Sequence, residues 1–322
     1  MLFNTEKYGK VAVLMGGNSN EREVSLRSGH AILQALTESS IDAHEFDTAD
    51  KGLSQLKTEG FDRAFIALHG HTGENGTVQA TLGMMDIPYT GSDMTASAIG
   101  MDKVRAKWMW QGQGLQVIPG KEILAHEPLD PDAIELLMNS LGTKLVVKPV
   151  TEGSSLGMSI CRTKSELITA VEHAHQYSDR VLVERWMSGP EYTVAILNGQ
   201  VLPSIRIQPQ REFYDYEAKY DAVDTEYYCP SGLTQVKETQ LAEIALAAFD
   251  GIGCKGWGRV DFMRDSHSED FYLMEINTVP GMTQTSLVPK AAQAAGLNFR
   301  ELCISILDSS VTDSSSGSGD EA

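Results

Sequence analysis

The sequence predicts an α/β domain with a parallel sheet at its N-terminal end, followed by α+β segments built on antiparallel strands. Three observations predict it. Short continuous apolar runs alternate with helical stretches in the first third, as in a parallel sheet covered on both faces. The pair Asn198-Gly199 joins two later strand-like runs with a hairpin turn. Near residues 258–277, two apolar runs flank the polar loop 264–270 as the arms of a second hairpin.

The elements follow in order. Val11-Ala12-Val13-Leu14-Met15 reads as a strand, Gly16-Gly17 breaks it, and a helix is expected over about 24–36. Ala64-Phe65-Ile66-Ala67-Leu68 begins a second unit and runs into His69-Gly70. Gly16-Gly17 falls short of the G-x-G-x-x-G fingerprint, which leaves a dinucleotide fold little support. Further on, a helix is expected over 103–111, strands at 145–149, 158–161 and 181–184, and a helix over about 165–176. Strands are expected at 192–198 and 201–207. Leu241, Ile244, Ala245, Ala248, Phe249 and Ile252 then recur at helical spacing, ended by Gly251 and Gly253. From Asp308 the chain is rich in Ser, Gly and acid, and a disordered tail is expected over 308–322.

Composition narrows the function classes. At 322 residues, 42% of them apolar, the chain can bury a large core without disulfides or metal staples. Cys161, Cys229, Cys254 and Cys303 are widely spaced, which speaks against a zinc site or a secreted disulfide framework and suits a reducing compartment. No apolar signal core or membrane-length run stands out, so a soluble, cytoplasmic protein is expected, with no membrane partner. A net charge of -18 opposes nucleic-acid binding. It leaves room for an anionic small molecule, because the sign of a site is set locally.

The hairpin concentrates the chemistry. Strand side chains alternate faces, so Arg259 shares a side with Asp261, and Glu275 shares a side with Asn277. If those sides coincide, two carboxylates and a carboxamide converge beside a fixed positive charge. Such oxygen donors suit a hard cation that keeps positions for phosphates. A salt bridge from Arg259 to Asp261 or Glu275 accounts for the same residues. Upstream, Lys148 ends an apolar strand before the small-residue loop Glu152-Gly153-Ser154-Ser155-Leu156-Gly157. Its backbone N–H groups could approach phosphate oxygens, although the loop is not a Walker A motif. An ordinary turn fits this loop too.

The ordered motifs carry a resemblance. They include Gly16-Gly17-x-Ser19-x-Glu21-Arg22-Glu23-Val24-Ser25, His69-Gly70-x-x-Gly73-Glu74-x-Gly76, Met101-Asp102-Lys103 and Phe213-Tyr214-Asp215-Tyr216-Glu217-Ala218-Lys219-Tyr220. Gly256-Trp257-Gly258-Arg259 and Glu275-Ile276-Asn277-Thr278-x-Pro280-Gly281-Met282-Thr283 complete the series. Over residues 10–307 the sequence resembles the D-alanine–D-alanine ligases of the ATP-grasp superfamily.

The resemblance implies an α/β and α+β protein, an N-terminal parallel-sheet domain followed by a two-lobed ATP-grasp fold. It divides the chain into a substrate domain over 1–102, a central lobe over 103–187 and a C-terminal lobe over 188–307. It implies ATP and two Mg2+ ions as cofactors, with Mn2+ a possible substitute, D-alanine as substrate, and a homodimer. Asp261, Glu275 and Asn277 would be the metal ligands, and Lys103, Lys148 and Lys219 phosphate contacts. Glu184, Trp186 and Met187 would line the adenine pocket, with Glu191 on the ribose. Glu21 would hold the first D-alanine's ammonium, linked to Ser154 and Tyr220, with His69 nearby. Ser286 and Leu287 would contact the second D-alanine. Arg259 and the Gly281 N–H would stabilise charge on the reacting carboxyl group. Members that make an ester with D-lactate tend to carry Phe where this chain has Tyr220, so the dipeptide is expected. A lid is expected over about 208–220.

Overall fold

The computed structural model describes residues 5–127, 129–208 and 225–311. Strands β1 (Val11–Met15), β2 (Ala43–Asp47) and β3 (Arg63–Ile66) form the expected parallel sheet, ordered β2-β1-β3. All five residues of β1 are buried, as a central strand covered on both faces requires. Helix α1 (Arg22–Thr37) makes the crossover from β1 to β2 and buries Val24, Ser25, Ser28, Ile32 and Leu36. Helices α2 (Gln55–Thr58), α3 (His71–Glu74), α4 (Thr77–Met84), α5 (Met94–Met101) and α6 (Lys103–Gly112) follow.

A second sheet is antiparallel. It contains β4 (Gly120–Leu124), β5 (Leu145–Pro149), β6 (Ser159–Cys161) and β7 (Arg180–Arg185), in the order β4-β7-β5-β6. Helices α7 (Pro131–Leu141) and α8 (Lys164–Ala174) cover it, and Leu137, Val147, Leu167 and Val183 form its core.

The third sheet holds β8 (Glu191–Leu197), β9 (Gln200–Val201), β10 (Ile205–Gln208), β11 (Glu226–Tyr228), β12 (Trp257–Arg264) and β13 (Phe271–Asn277). Its order is β11-β10-β8-β12-β13, with β9 also on β8. The strand expected at 201–207 is therefore two pieces. Pro203 between them has no N–H to donate. Both pieces pair with β8, but the register slips by one residue, from Ile196↔Val201 to Thr193↔Ile205. Helices α9 (Gln235–Gly251), α10 (Leu287–Ala294) and α11 (Phe299–Asp308) complete the described chain.

The cores do not follow chain order. Ala106 and Trp110 of α6 pack with Phe249, Val260 and Phe262 of the third sheet's layer. Val288, Leu302 and Leu307 of α10 and α11 join Leu14 and Ile32 in the first sheet's core. This shared core brings the ends of β1 and β3 against the loop that follows β13. Among the described residues, no helix is long and apolar enough to cross a membrane.

Candidate active site

The hairpin register answers the question of faces. Arg259 pairs with Asn277 and Asp261 with Glu275, so all four side chains lie on one side. Asp261 is buried and saturated. Arg259 grips it through two bonds of 2.8 and 2.7 Å, Thr193 Oγ1 donates at 2.5 Å and Asn277 Nδ2 at 3.0 Å. A carboxylate has about four lone-pair sites, and all are taken. The salt bridge that the sequence left open is thus formed. Glu275 lies 3.8 Å from Lys103 Nζ. Among the described residues, no group of three or more His, Cys, Asp or Glu could hold a metal ion. The donor chemistry of Asp261, Glu275 and the Asn277 carboxamide still fits a hard divalent cation, since all three can offer oxygen. Ligation by Asp261 requires Arg259 or the Asn277 amide to give way.

A largely apolar cavity of about 180 Å³ lies between the second and third sheets. Val146, Trp186, Met187, Met263 and Met274 supply apolar walls, while Lys103, Lys148, Glu184 and Glu191 supply charge. Such a slot suits a planar base flanked by phosphates. Glu184 is buried between Lys107 and Lys148, each 2.6 Å away. Burial alone would push its carboxyl up, but the two ammonium groups bring it below the ordinary range. Among the described residues its Oε1 has no hydrogen-bond partner of good geometry, although Lys107 Nζ lies 2.6 Å away. Burial pulls Lys107 below the usual lysine range.

A second, more polar cavity of about 310 Å³ adjoins the first. The two share Lys103, Gly153, Ser154, Glu191 and Glu275. The loop at this junction is strained, with Ser154 at φ 51° and Ser155 at φ 60°. Left-handed backbone at two consecutive non-glycine residues persists only where surroundings enforce it, and clusters at functional sites. Ser154 Oγ donates to Glu21 Oε1. Glu21 occupies the N-cap position of α1 but makes no cap bond. The turn that carries it is pinned by Asp47, which accepts from the Gly17 N–H at 3.1 Å and from Arg22 at 3.0 and 2.7 Å. The Arg22 bond, first of all, holds the Asp47 carboxyl down to about 2.

His69 is buried and has both ring nitrogens engaged. A carbonyl can only accept, so Nδ1–H donates to Val279 O at 3.1 Å, and Nε2 accepts from Ser28 Oγ at 3.0 Å. Ser28 Oγ in turn accepts the Met282 N–H at 3.1 Å. Burial pulls the imidazole below its ordinary value, which keeps it neutral at pH 7. Its ring contributes to the cavity wall, while its polar atoms hold the loop that bears Gly281. Ser286 sits at the N-cap position of α10 without a cap bond. Its Oγ accepts the Thr283 N–H at 3.1 Å and faces Thr283 Oγ1 at 2.7 Å. Leu287 lines the same cavity.

Lys219 and Tyr220 lie outside the described residues, as does the expected lid beyond Gln208. The other predicted residues line one cavity or both. Sequence reading passed over Lys107, Ser28 and Glu74. Lys107 falls four residues after Lys103 and so shares its helix face. Ser28 is a polar residue within the apolar stripe of α1. Glu74 stands among Gly70, Gly73 and Gly76, in a motif that was noted without a role for it.

Three sheets with an apolar slot between the last two are the α/β and α+β arrangement of an ATP-grasp fold. The profile of the D-ala D-ala ligase C-terminus matches residues 109–308, and that of the N-terminus matches 40–92. A D-alanine–D-alanine ligase from Bacillus anthracis is 36% identical, with 94% of this chain and 97% of that chain covered and a TM-score of 0.83. A D-alanine–D-alanine ligase from Bacillus anthracis complexed with ATP aligns at 33% identity over 94% and 97%, with a TM-score of 0.82. The VanG D-Ala:D-Ser ligase from Enterococcus faecalis is 28% identical over 94% and 99%, with a TM-score of 0.80. The chain belongs to the D-ala D-ala ligase family, a family of ATP-dependent, ADP-forming ligases.

Proposed function

We propose that the protein joins two D-alanine molecules into D-alanyl-D-alanine through an acyl phosphate, with ATP as the phosphoryl donor, as a cytoplasmic step toward peptidoglycan precursors. The observation that carries this reading is the junction of the two cavities, where Lys103, Ser154, Glu191 and Glu275 face both. A phosphoryl group passed across that junction moves from the apolar slot to the carboxyl-lined chamber.

In this reading Glu184, Trp186 and Met187 line the adenine pocket, Glu191 takes the ribose, and Lys103, Lys148 and Lys219 take the phosphates. Asp261, Glu275 and Asn277 hold two Mg2+ ions, which Mn2+ can replace; when bound they offset charge on the phosphates. Glu21, held by Ser154 and assisted by Tyr220 and His69, binds the ammonium of the first D-alanine. That substrate's carboxylate oxygen attacks the γ-phosphorus and ADP leaves. Ser286 and Leu287 orient the second D-alanine, whose amine attacks the activated carbonyl and expels phosphate. Arg259, freed from Asp261, and the Gly281 N–H stabilise the oxyanion. The segment over 208–220 acts as a lid that excludes water from the acyl phosphate. The three-part division at 102/103 and 187/188 and a homodimer belong to the same reading.

The test is ADP release across a panel of D-amino acids, followed by mass spectrometry of the product. D-alanine should stimulate release and yield the dipeptide. ADP release independent of D-alanine would overturn the reading. With D-lactate or D-serine competing, mainly ester or mixed product would overturn the acceptor assignment.

A further inference from the structure

Within the amino-acid chamber the carboxyl group of Glu74 has no task in the mechanism above. Glu74 follows the turn His69-Gly70 on α3 and lines the cavity. Its Oε2 accepts the Gly70 N–H at 2.8 Å, which fixes the carboxyl. Gly70 also packs against Glu21, whose Oε2 lies 3.1 Å from the position a Cβ would take there. The two carboxyls thus flank one glycine on the wall of one chamber. The other charged groups acting on Glu74 are Arg259 and Lys103, from β12 and the start of α6. Both stand where the reacting carboxyl would lie.

The acceptor amino acid arrives as an ammonium and has no lone pair until it loses a proton. We propose that Glu74 is the catalytic base that takes this proton, an inference that rests on the ligase reading of the cavity. The balance closes without a further reactant. The ammonium N–H bond breaks and its proton passes to a Glu74 carboxylate oxygen. The freed lone pair forms the C–N bond at the acyl carbonyl. The C–O bond to phosphate then breaks, phosphate leaves with the second nitrogen proton, and Glu74 is left protonated, the form in which it rests between cycles.

The other candidates for this task are committed elsewhere. Glu21 accepts from Ser154, and Asp261 is held by Arg259. His69 Nε2 accepts from Ser28. An ordinary carboxylate is a poor match for an α-ammonium. Burial first, and the nearby Glu21 second, push Glu74 up to about 8, which narrows the mismatch and favours proton transfer. An incoming cation stabilises the ionised form of Glu74, so its resting proton is released to water as the acceptor enters, and the carboxylate is then free to take the ammonium proton.

The experiment compares wild type with Glu74→Gln, which keeps the shape and an oxygen acceptor for the Gly70 N–H. Two acceptors are supplied with ATP, Mg2+ and D-alanine: D-alanine itself, and hydroxylamine, an amine largely unprotonated at neutral pH. Dipeptide formation by the variant should fall at least ~10²-fold, the lower range for loss of a general base. Hydroxamate formation should stay within a few-fold of wild type. Equal losses with both acceptors, or no loss with either, would overturn the proposal. Wild-type protein that makes neither product would overturn the ligase reading and the proposal with it.

Discussion

Ser28→Ala tests how the N-terminal unit holds the loop that bears Gly281. The Ser28 side chain is fully buried and spans two elements, donating to His69 Nε2 at 3.0 Å and accepting the Met282 N–H at 3.1 Å. Removal of the hydroxyl leaves one buried acceptor and one buried donor unpaired. Each such orphan costs about 1–3 kcal/mol, so the rigid limit is about 2–6 kcal/mol. If the loop stays in place, most of this appears as lost stability. If it relaxes, stability recovers but the Gly281 N–H moves, and every ~1.4 kcal/mol of lost transition-state contact lowers the rate tenfold. We expect about 2 kcal/mol in the urea unfolding midpoint, a tenfold or greater fall in kcat for D-alanine-dependent ADP release, or a division between them. Thr37→Ala, at an exposed hydroxyl bonded only within α1, is the control and should stay within about 0.5 kcal/mol. A Ser28→Ala protein equal to that control in both stability and kcat would refute the reasoning.

Arg259→Ala should lower kcat at least ~10²-fold, the loss typical for one oxyanion donor; near-normal turnover would remove it from the reacting centre. Lys107→Met should raise the KM for ATP more than the KM for D-alanine, because Glu184 keeps only Lys148; an unchanged nucleotide KM would deny Lys107 a part in the slot. Asp47 has a folded-state pKa depressed to about 2, so its contribution is complete above the unfolded carboxylate value of about 3.9 and is lost as pH falls toward 2. Asp47→Asn should therefore be less stable than wild type at neutral pH, with the gap closing between about pH 4 and pH 2 in urea midpoints. Glu275→Gln should raise the Mg2+ concentration needed for half-maximal ADP release, and a superimposable Mg2+ titration would discount it as a ligand.

Much of the fold was legible because its signals are local. The continuous apolar run of β1 marks a strand covered on both faces, while the helical spacing from Leu241 to Ile252 and the two arms of the Arg259–Asn277 hairpin express periodicities of 3.6 and 2 residues in the chain itself. The split at Pro203 was equally local and could have been read from the missing N–H. Residue types also announced the site, since acidic and amide residues inside apolar strands are costly without a task.

By itself the sequence determined the family, the secondary elements and the chemical inventory of the hairpin: two carboxylates, a carboxamide and an arginine. Only the tertiary structure decided how they are spent. Arg259 on Asp261 depends on strand register and on Thr193 from a neighbouring strand. Ser154 reaches Glu21 across 133 residues, and Ser28 reaches Met282 across 254. Glu74 acquires its raised proton affinity from burial beside Glu21, a property of the folded environment that no single residue carries. Periodicity is written in the chain, whereas desolvation and long-range partners exist only once the chain has folded.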